Sequence, residues 1–195
     1  MTDQFQEPRG RGPVFWISVG LGGVAVILLA IALAAGFGRD PRQPGNLANE
    51  GARIDMSSEL PLLDGSGSLA FSELEGKVLV INFWASYCIP CRAEHEELTT
   101  VFEMYRDRNV QFVGVVYHDK PAAAREFLDV LGWGDGYLYV EDPGARMTVD
   151  FGVWGVPETY FVDETGVIVG KHYGEITRDD LIQEIDAMLA GDSAD

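Results

Sequence analysis

Residues 77–95 read KVLVINFWASYCIPCRAEH, and the order of signals in that stretch decides the fold. Lys77 to Trp84 is short, largely apolar and rich in β-branched and aromatic residues, as a buried strand requires. Cys88-Ile89-Pro90-Cys91 follows almost at once, and a helical pattern begins there. Between Ile89 and about Arg106, Leu98, Val101, Phe102 and Tyr105 recur at i, i+3, i+4, i+7 and give that helix one apolar stripe. Pro90 costs little in a first turn, whose N–H groups have no partner within the helix. Cys88 thus stands at a helix N-terminus, where unpaired N–H groups and the helix dipole favour a thiolate. A thiolate there can attack a disulfide and form a mixed disulfide, and Cys91, about one turn on, is within reach to resolve it.

Outward from this stretch the signals alternate. Val110 to Tyr117 is a second buried strand. Pro121 to Leu131 is a helix with proline at its start. Tyr137 to Val140 is a short strand and Gly144 to Phe151 a short helix. Thr159 to Val162 and Val167 to His172 flank Asp163-Glu164-Thr165-Gly166, a hairpin turn. Thr177 to Ala190 is a last amphipathic helix. Strands alternating with helices, closed by a hairpin and a helix, predict an α/β domain with a central mixed sheet flanked by helices.

The N-terminal part is different. Val14 to Ala35 is 22 residues without a charge, enough for one helix across a bilayer. Phe15 and Trp16 sit near one end of it, where aromatic side chains favour the interface. Small-x-small patterns at Ala30–Ala32 and Ala32–Ala34 leave a cleaved signal peptide as the alternative. Arg9 and Arg11 on one side balance Arg39 and Arg42 on the other, so charge alone does not orient the helix. The expected layout is a short tail (1–13), a transmembrane anchor (14–35), a Pro/Gly/Asn-containing linker (36–53), one domain (54–190) and a tail (191–195).

The net charge is −17. Nucleic acid as a partner needs clustered Lys and Arg, and docking on anionic lipid needs the same; this composition speaks against both. There are two cysteines in all, both in Cys-x-x-Cys. A bridge closing so small a loop restricts the unfolded chain little, so redox chemistry explains the pair better than stapling. As metal ligands, Cys88, Cys91 and His95 would still lack a fourth. Haem attachment needs His directly after the second Cys, where this chain has Arg92.

Asn82 to His95, with Gly152-Val153-Trp154-Gly155-Val156-Pro157-Glu158-Thr159, resembles the active site and the Gly-Val-x-Gly-x-Pro-Glu-Thr signature of the cytochrome c maturation oxidoreductases, CcmG/DsbE, within the broader TlpA/ResA-like group. The similarity runs over about residues 54–190. It implies a thioredoxin-like fold behind a membrane anchor, with the catalytic domain on the periplasmic side of the cell membrane. It implies a thiol–disulfide oxidoreductase that keeps thiols reduced for haem attachment. The substrates would be disulfides of apocytochrome c or of a maturation partner. Electrons would come from a membrane thiol donor, and no cofactor would be needed beyond the Cys88–Cys91 redox pair. A general TlpA/ResA-like reductase with other clients, a copper-binding chaperone and a peroxiredoxin-like peroxidase are the competing readings. The chain departs from the family at Tyr87, usually Trp, and at the Ile89-Pro90 dipeptide, which helps set the redox potential. Asn82 stands where thioredoxins proper carry a buried aspartate, so the resolving thiol must pass its proton elsewhere.

Glu94 lies three residues past Cys91, on the face that continues through Leu98 into the core stripe. A carboxylate there would be partly desolvated, with a raised pKa suited to proton transfer; its plain alternative is a helix-start acid favoured by the dipole. The resemblance makes Pro157 a cis-proline beside the cysteines and Val156 the backbone offered to an extended substrate. It also puts Glu158 on the same groove, in an acidic patch with Glu94. Trp154 is expected either to line that groove or to pack in the core. His95, His118 and His172 read as surface or packing residues.

Overall fold

The structure, a computed structural model, describes residues 50–191. The expected membrane run at 14–35 and residues 36–49 of the expected linker lie outside the described residues. Among those that are described, no helix is long and apolar enough to cross a membrane. In chain order the elements are β1 (Glu59–Pro61), β2 (Ser68–Ala70), a 3-10 turn (Phe71–Leu74), β3 (Val78–Trp84), α1 (Ile89–Tyr105), β4 (Val110–Val116), α2 (Pro121–Leu131), β5 (Leu138–Glu141), α3 (Arg146–Asp150), β6 (Glu158–Val162), β7 (Ile168–Tyr173) and α4 (Arg178–Ala190).

Every residue of β3 is buried, and its sequence is accordingly apolar on both faces apart from Asn82. It is the middle strand of a five-stranded sheet in the order β5-β4-β3-β6-β7. β4 and β5 run parallel to it through the crossovers of α1 and α2, β6 runs antiparallel to it, and β7, antiparallel to β6, returns to the direction of β3. The mixed sheet expected from the sequence is therefore present. On one face Val80 and Trp84 pack with Leu98, Val101 and Phe102 of α1, Phe127 and Leu128 of α2, and Leu181 and Ile185 of α4. On the other, Leu79, Ile81 and Phe83 pack with Leu60, Leu69, Phe71, Met147, Phe151 and Tyr160. Each such fully buried aliphatic or aromatic side chain contributes about 1.5–3 kcal/mol of burial free energy.

Two local features go beyond the sequence reading. The β1–β2 hairpin, paired Glu59↔Ala70 to Pro61↔Ser68, covers the second face and was not among the elements read from the sequence. And β6 begins at Glu158 rather than Thr159, which fixes the face on which Glu158 lies. Gly114 of β4 is required by close approach: a Cβ there would sit 2.6 Å from the ring of Tyr139.

The register of β3 with β6, Phe83↔Glu158 to Leu79↔Val162, has a direct result. The C-terminal end of β3, leading to Cys88, and the N-terminal end of β6, preceded by Trp154–Pro157, lie at the same edge of the sheet. The parallel neighbour β4 ends at that edge too, which brings residues 117–119 to it.

Candidate active site

Cys88 is the N-cap residue of α1, and its Sγ accepts a hydrogen bond from the Cys91 N–H at 3.1 Å. Cys88 and Cys91 form a disulfide, with Cα atoms 5.2 Å apart. Both are mostly covered, at 7% and 3% exposure, with Cys88 the more open. The side chains flanking them are not covered: Tyr87 is 61% and Ile89 82% exposed. The loop before the pair is held by Asp119, whose Oδ2 accepts from the Ser86 N–H at 2.7 Å. The chain turns to reach it at His118, which adopts a positive φ of 46°, a conformation uncommon outside glycine. The Tyr87 hydroxyl pKa is pushed up, by burial first and then by Asp119 and Tyr117. Asp119 was not expected from the sequence. Its only signal there is its place just past the end of a parallel strand, where α/β sheets gather their functional loops.

Glu94 lies beneath this surface and is almost fully buried, at 1% exposure. Its Oε1 accepts from Asn82 Nδ2 at 2.9 Å and its Oε2 from the Ile176 N–H at 3.0 Å. Asn82 Nδ2 also donates to Thr159 Oγ1 at 3.0 Å, so β3, β6, α1 and the loop before α4 meet at this carboxyl. Burial pushes the Glu94 pKa up to about 7, with nearby Glu175 adding to the rise and the two hydrogen bonds opposing it. This burial is the desolvated setting that the first of the two sequence alternatives requires. His95, in the next position, is a packing residue: its Nε2 meets the Gly132 carbonyl at 2.8 Å and its ring lies edge-on to Phe127. Burial, then Arg92, push its pKa down. Among the described residues no three His, Cys, Asp or Glu side chains converge as metal ligands would.

At the facing loop the Val156–Pro157 peptide is cis. Trp154 is 89% exposed, so it is not a core residue. Glu158 differs from expectation. It is 2% exposed and shares a sheet face with Phe83 and Tyr160, because strand side chains alternate and Glu158 pairs with Phe83. Asn82 and Glu94 lie on the other face. The acidic patch of Glu94 with Glu158 therefore does not form, and Glu158 offers no side-chain atom to a groove. Its Oε1 instead accepts from the Trp154 and Gly155 N–H groups at 2.9 and 3.2 Å, and its Oε2 pairs with Lys171 Nζ at 2.7 Å.

A disulfide on a helix N-cap, beside a cis-proline loop on a five-stranded mixed sheet, invites comparison with redox proteins of this architecture. The family model of the redoxins matches residues 49–189. The chain belongs to the redoxin family. Thiol:disulfide interchange protein HelX of Rhodobacter capsulatus is 40% identical over 117 residues, 60% of this chain and 64% of that one, a little under two thirds of the relative. DsbE of Pseudomonas fluorescens biotype C is 32% identical over 169 residues, covering 84% of this chain and 90% of the relative. Among solved structures, a DsbF homologue from Corynebacterium diphtheriae superposes with a TM-score of 0.62 at 26% identity, covering 76% of this chain and 96% of its own. With its Cys88–Cys91 pair, this redoxin is a thiol–disulfide oxidoreductase of the DsbE type.

Proposed function

We propose that this redoxin is a membrane-anchored, periplasmic reductant of protein disulfides in cytochrome c maturation, acting on apocytochrome c or on a partner reductase. The observation that carries the reading is the Cys88–Cys91 pair on the N-cap of α1 beside the cis Val156–Pro157 loop; one turn beyond Cys91 stands the buried carboxyl of Glu94. Its place suits it to the proton that Asn82 cannot take.

In the reduced protein Cys88 reacts as thiolate, favoured by the Cys91 N–H and the start of α1. It attacks one sulfur of the client disulfide. One client thiolate leaves and takes up a proton, and Cys88 is joined to the client as a mixed disulfide. Cys91 then passes its proton to ionised Glu94 and attacks Cys88 Sγ. The second client thiolate leaves and takes a proton in turn, and the Cys88–Cys91 disulfide remains. Two electrons have moved from the pair to the client; a membrane thiol donor returns them, and no other cofactor takes part. Val156 offers its backbone to an extended client beside Pro157, and exposed Trp154, Tyr87 and Ile89 supply apolar contact.

The test is Cys91→Ser, which removes the resolving thiol. The reduced variant, mixed with apocytochrome c carrying an oxidised haem-attachment pair, should accumulate a mixed disulfide through Cys88 that dithiothreitol releases. A variant that accumulates no adduct with that client, yet traps unrelated periplasmic proteins, points to a general reductase instead.

A further inference from the structure

Because β6 starts at Glu158, residues Glu158, Tyr160 and Val162 share one face, and the β6–β7 register sets Lys171 opposite Tyr160. The Lys171 and Glu158 side chains are only 4% and 3% exposed. Lys171 Nζ lies 2.7 Å from Glu158 Oε2 and within 4.6 and 4.1 Å of the Tyr160 and Tyr173 ring centres. The Tyr160 hydroxyl stands 3.0 Å from the same Oε2 and 2.8 Å from the Phe151 carbonyl. One hydroxyl proton serves one of these at a time. With Lys171 satisfying Oε2, that proton is free to hold Phe151. The other oxygen, Oε1, holds the successive N–H groups of Trp154 and Gly155. A buried ion pair is weak as a source of stability, since desolvation offsets its attraction. An apolar pair would hold two strands together as well. It could not accept two backbone N–H groups and fix the direction of the loop that carries Trp154.

We propose that Lys171 is a positioning residue that, through Glu158, fixes the Trp154–Pro157 loop and so sets the preference for protein disulfides over small ones. The inference rests on the reading of this redoxin as a protein-disulfide reductant. Lys171 touches neither client nor cysteine; it acts by holding Glu158 as the acceptor that aims the loop.

The experiment compares the full-length chain with K171M, with K171M/E158Q and with K171M/E158L, using apocytochrome c with an oxidised haem-attachment pair as the protein disulfide and hydroxyethyl disulfide as the small one. The readout is the ratio of kcat/KM for the two substrates. In K171M this ratio should fall about tenfold, the low end for loss of a positioned contact, with the change in KM for apocytochrome c. K171M/E158Q should regain most of it, because a glutamine carbonyl accepts the Trp154 and Gly155 N–H groups without needing a cation. K171M/E158L fills similar space with no acceptor and should stay low. The two double variants leave no unpaired buried charge, so they decide the matter even if K171M does not fold. Equal ratios in the two double variants, or equal losses on both substrates in all variants, would overturn the proposal. A wild-type chain that reduces hydroxyethyl disulfide but leaves the apocytochrome c disulfide intact overturns the functional reading itself, which is a separate result.

Discussion

Glu94 holds its proton to about pH 7, against an ordinary 4.5, because burial disfavours its charge. Asn82 keeps the rise within bounds: an aspartate there would put a second carboxylate at hydrogen-bond distance. The sign of the stability effect follows. Between about pH 4.5 and 7 the folded chain binds a proton at Glu94 that the unfolded chain has released. Stability therefore declines as pH rises through that window, by about 3 kcal/mol, and levels off above it. Glu94→Gln should remove this decline, as urea unfolding near pH 5 and near pH 8 will read. The same substitution should slow resolution of the mixed disulfide by ~10²-fold and abolish the rise of that step through pH 7. An unchanged pH profile would mean that the proton leaves through water or through Cys88, with Glu94 serving only to tie α1 to Asn82 and Ile176.

At the scale of the element, the start of α1 makes the two sulfurs unequal. Cys88 Sγ is the cap that receives the Cys91 N–H, and it is the more exposed of the two. In the reduced protein Cys88 should alkylate first, with a midpoint below the ~8.5 of a free thiol; faster labelling of Cys91 would reverse the assigned roles. Elements with a strong local signature were legible in the sequence. Pro121 marks the first residue of α2, the stripe from Leu98 to Tyr105 marks α1, and Thr177 caps α4 through the Asp180 N–H at 3.2 Å. The β1–β2 hairpin was not legible, because three-residue strands, one ending in Pro61, are too short for an alternation to register. Glu158 was identified as a site residue but given the wrong surroundings. Its face depends on whether β6 starts one residue earlier, and its partner Lys171 depends on hairpin register. Neither is a property of the local sequence.

For the whole molecule, the sheet brings to one edge three segments that the chain keeps apart: the Cys88 loop, residues 117–119 and the Trp154–Pro157 loop. The sequence indicated the first and third by their motifs, but not the second, since Asp119 in isolation is one acid among many. The proposed setting makes a prediction at this scale. Protease added to intact spheroplasts should digest residues 54–190; a protected domain would place it in the cytoplasm and end the haem-maturation reading.

The two neighbours of β3 are reached by very different routes. β4 returns across α1 alone, whereas the Asn82–Thr159 contact joins residues 77 apart. Closing the longer loop costs more chain entropy, and contacts so distant in sequence slow folding. The β3–α1–β4 unit can therefore assemble first, with its thiols already on a helix start, while Trp154 and Pro157 are still unattached. On the role proposed for that loop, a newly made chain would gain its thiols before it gains discrimination, and docking of β6 would be the event that adds it.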